Sequence, residues 1–244
     1  MKESKSLADS RLSASPFARP DFHRQERKGV PEVILTNSKT AEQSLAITCS
    51  FLERTGRAIL SRVSPELEQA LIATYGPEGY EWYPTSRLAI IRRDGVTPPA
   101  ANAGLVGVIT AGTSDQAVAE EAAIVCREMG CAVITAYDVG VAGLHRLFEP
   151  LQEFLDAGVD AIIVAAGMDG ALPSVVSGLV DVPVIGLPTS VGYGMGGRGE
   201  AALLAMLQTC SPGLAVVNID NGVGAGAMAA LIARRVARAR GEGE

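Results

Sequence analysis

Five short apolar runs in the second half of the chain alternate with longer amphipathic segments. The runs are typical of buried strands and lie at residues 105–109, 132–135, 161–165, 184–187 and 215–219. The intervening segments, such as 116–129 and 144–157, have the length and pattern of helices. Strands that alternate with helices predict a parallel sheet with right-handed crossovers. We therefore expect an α/β, doubly wound parallel sheet over residues 101–244.

The first hundred residues have a less regular pattern, which predicts a smaller α/β domain over 31–100. Short strands are expected at 32–35 and 87–91, with a loop at 76–84. One helix opens at Ser38 or Thr40 and runs to Gly56, and another begins at Ser64-Pro65, since serine caps helices and proline suits the first helical position. The segment 94–104, DGVTPPAANAG, reads as the linker to the second domain.

Residues 1–30 are polar and irregular, and they contain Pro16 and Pro20. We interpret them as an N-terminal arm that becomes ordered against a partner subunit. Their first residues lack the apolar core of a signal peptide.

Composition narrows the classes of function. The chain has 244 residues and a net charge of -6, which argues against nucleic-acid binding because phosphate contacts need clustered cations. Two histidines and four cysteines without a CxxC pair do not support an ordinary zinc site. No apolar stretch approaches the roughly 20 residues of a membrane span. We expect a cytoplasmic protein with reduced cysteines.

Ligands of doubly wound sheets bind beyond the carboxyl ends of the strands, so the loops there are the candidate site. The first of these loops is TAGTSDQ and contains Gly112, Thr113, Ser114 and Asp115. Its glycine permits close approach of a ligand, and its hydroxyls lie where a helix starts, which favours phosphate binding. Ser114 or Asp115 could instead serve only as a helix cap.

The second loop, YDVGVAGLHR, adds Tyr137, Asp138 and His145 to the predicted substrate site. His145 could act as a general acid or base, or as a hydrogen-bonded structural residue at a helix start.

The third loop, AGMDGALP, places Asp169 between two glycines and includes Gly167 and Met168. A carboxylate there could take a proton from a ligand lying over the strand ends, or it could cap the following helix. In the fourth loop, five glycines between residues 192 and 199 suggest a flap that covers the site.

Cys210 follows a predicted helix that ends near Gln208. A free cysteine is often only a small apolar residue, and the negative end of a helix dipole disfavours a charged sulfur. A reactive Cys210 would therefore need a cationic neighbour.

Several of these segments resemble the aminoimidazole-ribonucleotide carboxylase superfamily in the same order. They are TSD, AGxxxxLP, PVIGxP and the C-terminal GAGAxxA. The purine enzymes of that superfamily carry a histidine immediately before Leu-Pro, whereas this chain has Ala171.

Over nearly the whole chain the sequence resembles the LarB family, the pyridinium-3,5-biscarboxylic acid mononucleotide synthases of nickel-pincer cofactor assembly. The resemblance is carried by RxxRxGxPEV from Arg24, SKT from Ser38, TAGTSD, YDVGVAGLHR, GALPSV and VVNIDNG. It implies a homo-oligomeric enzyme that converts nicotinic acid adenine dinucleotide and CO2 into a dicarboxylated pyridinium mononucleotide and AMP.

The resemblance also implies roles for individual residues. Cys210 is the nucleophile, and Asp169 stands where the family has a carboxylate, often a glutamate, that removes the C5 proton. Mg²⁺ is expected to assist cleavage of the phosphoanhydride, with unknown protein ligands, and no tightly bound organic cofactor is expected. The alternatives are a purine-type carboxylase or mutase, and a nucleotide-binding module without catalysis.

Overall fold

The computed structural model describes residues 17–76 and 78–241, which divide into two compact units, residues 1–97 and 98–244. The predicted arm therefore lies only partly within the described residues. The elements of the first unit are α1 (Arg24–Lys28), β1 (Val33–Leu35), α2 (Ala41–Thr55), β2 (Arg57–Ser61), α3 (Pro65–Tyr75), β3 (Tyr80–Tyr83) and β4 (Leu88–Arg92).

The sheet of the first unit is mixed and has the strand order β1-β2-β4-β3. β1 runs parallel to β2, while β4 is antiparallel to both of its neighbours. Residues of α2 and α3 share one buried core with this sheet, which contains Phe51, Leu60 and Leu71. The unit is therefore a small α/β layer structure, as predicted.

Two helix starts in this unit confirm the sequence signals. The Thr40 side chain accepts from the Gln43 N–H at 3.1 Å, and the Gln43 side chain accepts from the Thr40 N–H at 3.1 Å. This reciprocal capping box makes Thr40, rather than Ser38, the cap of α2. Ser64 caps α3, with Pro65 as its first residue.

Two strands of the first unit were not predicted. The expected loop at 76–84 contains β3, because Tyr80, Trp82 and Tyr83 are β-forming aromatics whose signal is hidden by Gly76, Gly79 and Pro84. β2 begins directly after the glycine that ends α2, so its apolar run reads as a continuation of the helix.

The described part of the arm packs against its own unit, which corrects the expectation that a partner subunit orders it. Phe22 meets Phe51 edge to face, with ring centroids 5.2 Å apart. The Asp21 N–H donates to the Glu32 carboxylate at 2.9 Å. Residues 17–30 are thus part of the first unit.

Two tyrosines make the first unit sensitive to alkali. Burial, the largest cause, raises the pKa of Tyr75 and of Tyr80 from 10.0 to about 12. Between pH 10 and 12 the unfolded chain releases these protons while the folded chain keeps them, so the free energy of unfolding falls as the pH rises. Urea unfolding followed by fluorescence of the single tryptophan, Trp82, is expected to shift to lower urea over this range.

The matched control is the double variant Tyr75→Phe, Tyr80→Phe, which removes both titrating groups and keeps both rings. Its unfolding midpoint is expected to depend less on pH above 10. An equally steep loss in the variant would contradict the assignment to these two phenols.

The second unit begins at Pro98 and contains the predicted doubly wound domain. Its elements are β5 (Leu105–Thr110), α4 (Gln116–Glu128), β6 (Ala132–Ala136), α5 (His145–Asp156), β7 (Ala161–Ala166), α6 (Leu172–Ser177), β8 (Val184–Pro188), α7 (Glu200–Leu207), β9 (Leu214–Val216) and α8 (Gly222–Ala239). The last strand is shorter than the predicted 215–219, because residues 219–220 form a turn that leads to Asn221, the cap of α8.

The five strands are all parallel and have the order β6-β5-β7-β8-β9. α5, α6 and α7 form one core cluster with the sheet, while α4 and α8 pack against each other and against the strands. The order reverses between β5 and β7, and such a switch point opens a crevice beyond the strand ends.

Buried Asp160 ties the start of this sheet to the end of α8. Its carboxylate accepts from the Leu105 N–H at 2.8 Å and pairs with the Arg240 guanidinium at 2.8 Å. The Asp160 side chain is fully buried, and its ion pair with Arg240 offsets part of the free energy lost when the carboxylate leaves water.

No helix in the described part of the chain is long and apolar enough to span a membrane.

Candidate functional site

The candidate site lies at the carboxyl edge of the parallel sheet, beside the β5/β7 switch point. Loops 111–115, 137–144, 167–171, 189–199 and 217–221 follow the five strands and meet at this edge. They contain every site residue predicted from the sequence except Cys210 and His145, and His145 is the first residue of α5.

Asp115 occupies the centre of these loops and is 3% exposed. One carboxylate oxygen accepts from the Gly112 N–H at 2.8 Å, and the other accepts from the Thr189 hydroxyl at 2.6 Å. Burial raises the pKa of this carboxyl group, an effect partly opposed by the Thr189 hydroxyl and by the nearby Gly112 and Gly167 N–H groups. The structure thus gives Asp115 a role inside the loops, whereas Thr113 and Ser114 are exposed.

The loops after β7 and β8 are in backbone contact. The Met168 N–H donates to the Val191 carbonyl at 2.9 Å, and the Thr189 N–H donates to the Ala166 carbonyl at 3.0 Å. A Cβ atom on Gly167 would lie 2.2 Å from the Val191 oxygen, so only glycine fits at this position. The segment before Asp169 is therefore held on both sides.

Asp169 itself is exposed at the rim of the crevice. The carboxylate makes a long contact, 3.5 Å, with the Ala171 N–H. The preceding Met168 adopts φ 51° and is 45% exposed, an unfavourable setting for a large apolar side chain. A carboxylate and an apolar side chain are thus exposed next to each other at the rim of the crevice.

The loop after β6 carries an ion pair. The Arg146 guanidinium donates to the Asp138 carboxylate at 2.7 Å, and both side chains are close to half exposed. Asp138 adopts φ 60°, and its N–H donates to the Thr110 hydroxyl at 3.0 Å. Tyr137 is half-buried and His145 is exposed.

The loops after β8 and β9 are joined by Asp220, which accepts from the Ser190 N–H at 2.8 Å. The glycine-rich segment 192–199 lies next to this contact and exposes Tyr193 and Met195 almost completely. Its role as a flap stays a prediction.

Cys210 lies in the segment between α7 and β9 and is exposed. The hydroxyl of the next residue, Ser211, donates to the Ser174 carbonyl of α6, the helix that follows Asp169, at 2.9 Å. Gly213 accepts from the Val184 N–H at the amino end of β8. In the described part of the chain no hydrogen bond joins Cys210 to Asp169.

The other cysteines are less suited to chemistry. Cys126 and Cys131 are buried, and burial raises the pKa of both thiols. Cys49 is exposed on α2 in the first unit, and burial together with nearby Glu53 raises its pKa.

The donors at the site do not form a metal cage. Within residues 17–76 and 78–241, no group of three histidine, cysteine, aspartate or glutamate side chains could hold an ion. Asp115 and Asp138 are already engaged by Thr189 and Arg146. A magnesium ion here would depend on substrate phosphates with one or two carboxylates, which is its common mode of binding.

Comparison with known proteins adds family membership to this geometry. The AIR carboxylase family model matches residues 105–241, more than half of the chain. The chain belongs to the AIR carboxylase family. The LarB/PurE-like N-terminal domain model matches residues 12–93, so this family member has the two-domain LarB-like architecture.

Individual relatives agree with this assignment. An uncharacterised protein of Methanocaldococcus jannaschii is 44% identical over 88% of this chain and 83% of its own length. The N5-carboxyaminoimidazole ribonucleotide mutase of Pyrococcus horikoshii is 33% identical over 54% of this chain and 71% of its own length. A crystal structure of Treponema denticola PurE2-S38D is 24% identical, covers 55% of this chain and 80% of that chain, and has a TM-score of 0.43.

Four polar residues of the site were not singled out from the sequence. Thr110 and Thr189 are fully buried residues at strand ends, Asp220 adopts φ 54°, and Arg146 pairs with a predicted residue. Their positions in the sequence could have identified them, because each lies at or just beyond a predicted strand end or in the YDVGVAGLHR loop.

Proposed function

We propose that this protein carboxylates C5 of the pyridinium ring of nicotinic acid adenine dinucleotide and hydrolyses the phosphoanhydride. The products are pyridinium-3,5-biscarboxylic acid mononucleotide and AMP, made in the cytoplasm as the first step of nickel-pincer cofactor synthesis. The observation that carries the proposal is the LarB/PurE-like N-terminal domain in front of an AIR carboxylase domain.

Ala171 supports this substrate over a purine. It occupies the position before Leu172-Pro173 at which the purine enzymes carry a histidine, so the 171 side chain cannot transfer a proton. The titratable group of this loop is Asp169, which is exposed at the rim. The loop is therefore equipped for proton removal by a carboxylate.

The ring chemistry explains the need for a nucleophile. C5 of a pyridinium is electron-poor and does not attack CO2. Addition of the Cys210 thiolate to C4 breaks the aromaticity and makes C5 nucleophilic, so that C5 forms a bond to the carbon of CO2. Asp169 then takes the C5 proton, and the electron pair restores the ring as the C4–S bond breaks.

Binding of the dinucleotide is assigned to the remaining loops. Thr113 and Ser114 offer exposed hydroxyls at the start of α4, and the Arg146 guanidinium provides a cation across the β5 end. Gly112 and Gly167 are assigned to the close approach of the substrate to the backbone. Tyr137, Asp138 and His145 are assigned to binding on the β6 side of the site. Water attacks the phosphoanhydride, with Mg²⁺ held largely by the phosphates.

The thiol that acts with Asp169 is assigned to a second copy of the chain, since no hydrogen bond joins Cys210 to Asp169 in the described part of one copy. α7 supports this arrangement, since Leu204 and Leu207 beside Cys210 are 64% and 62% exposed. Exposed leucines on a largely apolar helix favour burial against another subunit.

The rival candidate is a mutase acting on an aminoimidazole ribonucleotide, favoured by the 32–34% identity to proteins so named. A non-catalytic nucleotide-binding module is the other alternative. Purified protein incubated with nicotinic acid adenine dinucleotide, Mg²⁺ and ¹³C-bicarbonate distinguishes the three by mass spectrometry.

We expect a labelled dicarboxylated mononucleotide and AMP from the wild-type protein and neither from Cys210→Ala. Cys49→Ala, which removes the other exposed thiol, is the control and is expected to retain activity. Turnover of N5-carboxyaminoimidazole ribonucleotide instead would establish the mutase. Binding of the dinucleotide without any product would leave the binding module.

A further inference from the structure

Three loops of the site converge on one buried carboxylate. Asp115 follows β5, Gly167 follows β7, and Thr189 follows β8. The Gly112 N–H and the Thr189 hydroxyl donate to Asp115, which is 3% exposed, while Thr189 is completely buried. Gly167 lies against the same hydroxyl, since a Cβ on this glycine would be 2.7 Å from it.

This geometry leaves the carboxylate no free face for a ligand. Both oxygens of Asp115 already accept short bonds, at 2.8 and 2.6 Å. Charge-assisted hydrogen bonds of this length are about twice as strong as neutral ones, and a buried carboxylate that loses a donor is strongly penalised. These hydrogen bonds therefore fix the positions of the loops that carry the donors, as well as the position of Asp115.

The close approach of Thr189 to Gly167 lies two residues before Asp169. Gly167 precedes Met168 and Asp169, and the Met168 N–H is fixed to the Val191 carbonyl of the β8 loop. A change in the Thr189–Asp115 bond would therefore reach Asp169 through the backbone of both loops.

We propose that Asp115 and Thr189 are positioning residues. They hold the backbone on which Asp169 lies, so that its carboxylate is within reach of the C5 proton of the substrate ring. The inference rests on the proposed function for its catalytic consequence, while its structural part stands on the geometry alone. Asp115 is then not a phosphate ligand, and the phosphate contacts fall to the exposed Thr113 and Ser114.

The test compares Thr189→Val, which keeps the shape and removes the hydroxyl, with Thr189→Ser, which keeps the hydroxyl. Thr48→Val is the matched control, because Thr48 is also completely buried and donates one bond at 2.8 Å, to the Ser44 carbonyl in the first unit. Amide hydrogen exchange is measured for segments 166–172 and 189–192 in all variants. Turnover is measured with ordinary and C5-deuterated dinucleotide.

We expect Thr189→Val to speed exchange at both segments and to lower kcat about 10- to 100-fold with KM within about threefold, as befits a misplaced general base. Its C5 deuterium isotope effect is expected to exceed that of the wild type, since proton removal becomes slower relative to other steps. Thr189→Ser and Thr48→Val are expected to match the wild type in all three measurements.

Unchanged exchange in Thr189→Val, or equal losses in Thr189→Val and Thr189→Ser, would overturn the proposal. A raised KM with kcat preserved would also overturn it, by making Thr189 a binding residue. If the wild type shows no turnover of the dinucleotide, the proposed function fails, and hydrogen exchange still decides whether the bond holds the loops.

Discussion

Mixing two inactive variants is expected to restore carboxylation. Cys210→Ala lacks the nucleophile and Asp169→Asn lacks the base, so each variant alone should lose activity by about 10³-fold or more. If each site takes its thiol from one copy and its carboxylate from another, random mixing in equal amounts makes about a quarter of the sites complete. The measured product is the labelled dicarboxylated mononucleotide, from co-expressed variants that carry different affinity tags.

The mixture distinguishes a site shared between two copies of the chain from a site built within one copy. Sites built within a single chain would all lack one residue in the mixture, and activity would stay at the level of the separate variants. The control mixes Cys210→Ala with the double variant Cys210→Ala, Asp169→Asn, in which no site has a thiol. Activity in that control would contradict the role of Cys210.

Gly167→Ala is expected to be the most damaging single-methyl substitution at the site. The added Cβ would lie 2.2 Å from the Val191 oxygen and 2.7 Å from the Thr189 hydroxyl, so the β7 and β8 loops must separate. Overpacking of this kind costs about 1–3 kcal/mol in the free energy of unfolding, and displacement of Asp169 by 1 Å costs about 10²-fold in rate. Urea unfolding and turnover measure the two effects.

Gly196→Ala supplies the matched control in the same loop region. Its Cβ would meet the Ala201 side chain and the Met168 carbonyl at 3.5 Å, which is ordinary van der Waals contact. We expect its free energy of unfolding to stay within about 0.5 kcal/mol of the wild type and its turnover within about twofold, since surface changes without a clash are nearly neutral. A loss in Gly196→Ala as large as that in Gly167→Ala would show that any methyl in this region is harmful.

The parallel sheet could be predicted because its strands are buried on both faces. Runs such as 161–165 contain only apolar residues, and helices such as α4 and α5 between them have clear polar faces. β3 escaped prediction because its pattern is short, aromatic and bounded by glycines, and its strand identity comes from pairing with β4, which lies later in the chain.

The site could be predicted only as a set of loops. Sequence placed Asp115 beside phosphate, because the TSD motif lies at a helix start, but its buried position depends on Thr189, which is 74 residues away. Similarly, the motif around Cys210 gave no indication of the edge of the sheet on which it lies. Long-range contacts of this kind are set by packing, which local sequence patterns do not report.

The ion pair between Asp160 and Arg240 forms late in biosynthesis. The sheet of the first unit is complete at Arg92, whereas this ion pair of the second unit cannot form until Arg240 has been made. At a translation rate of about 5–20 residues per second, this interval lasts about 7 to 30 s. During that time the strand edges of the second unit are available to chaperones and to neighbouring nascent chains. Aggregation of this protein is therefore best detected in ribosome-bound chains.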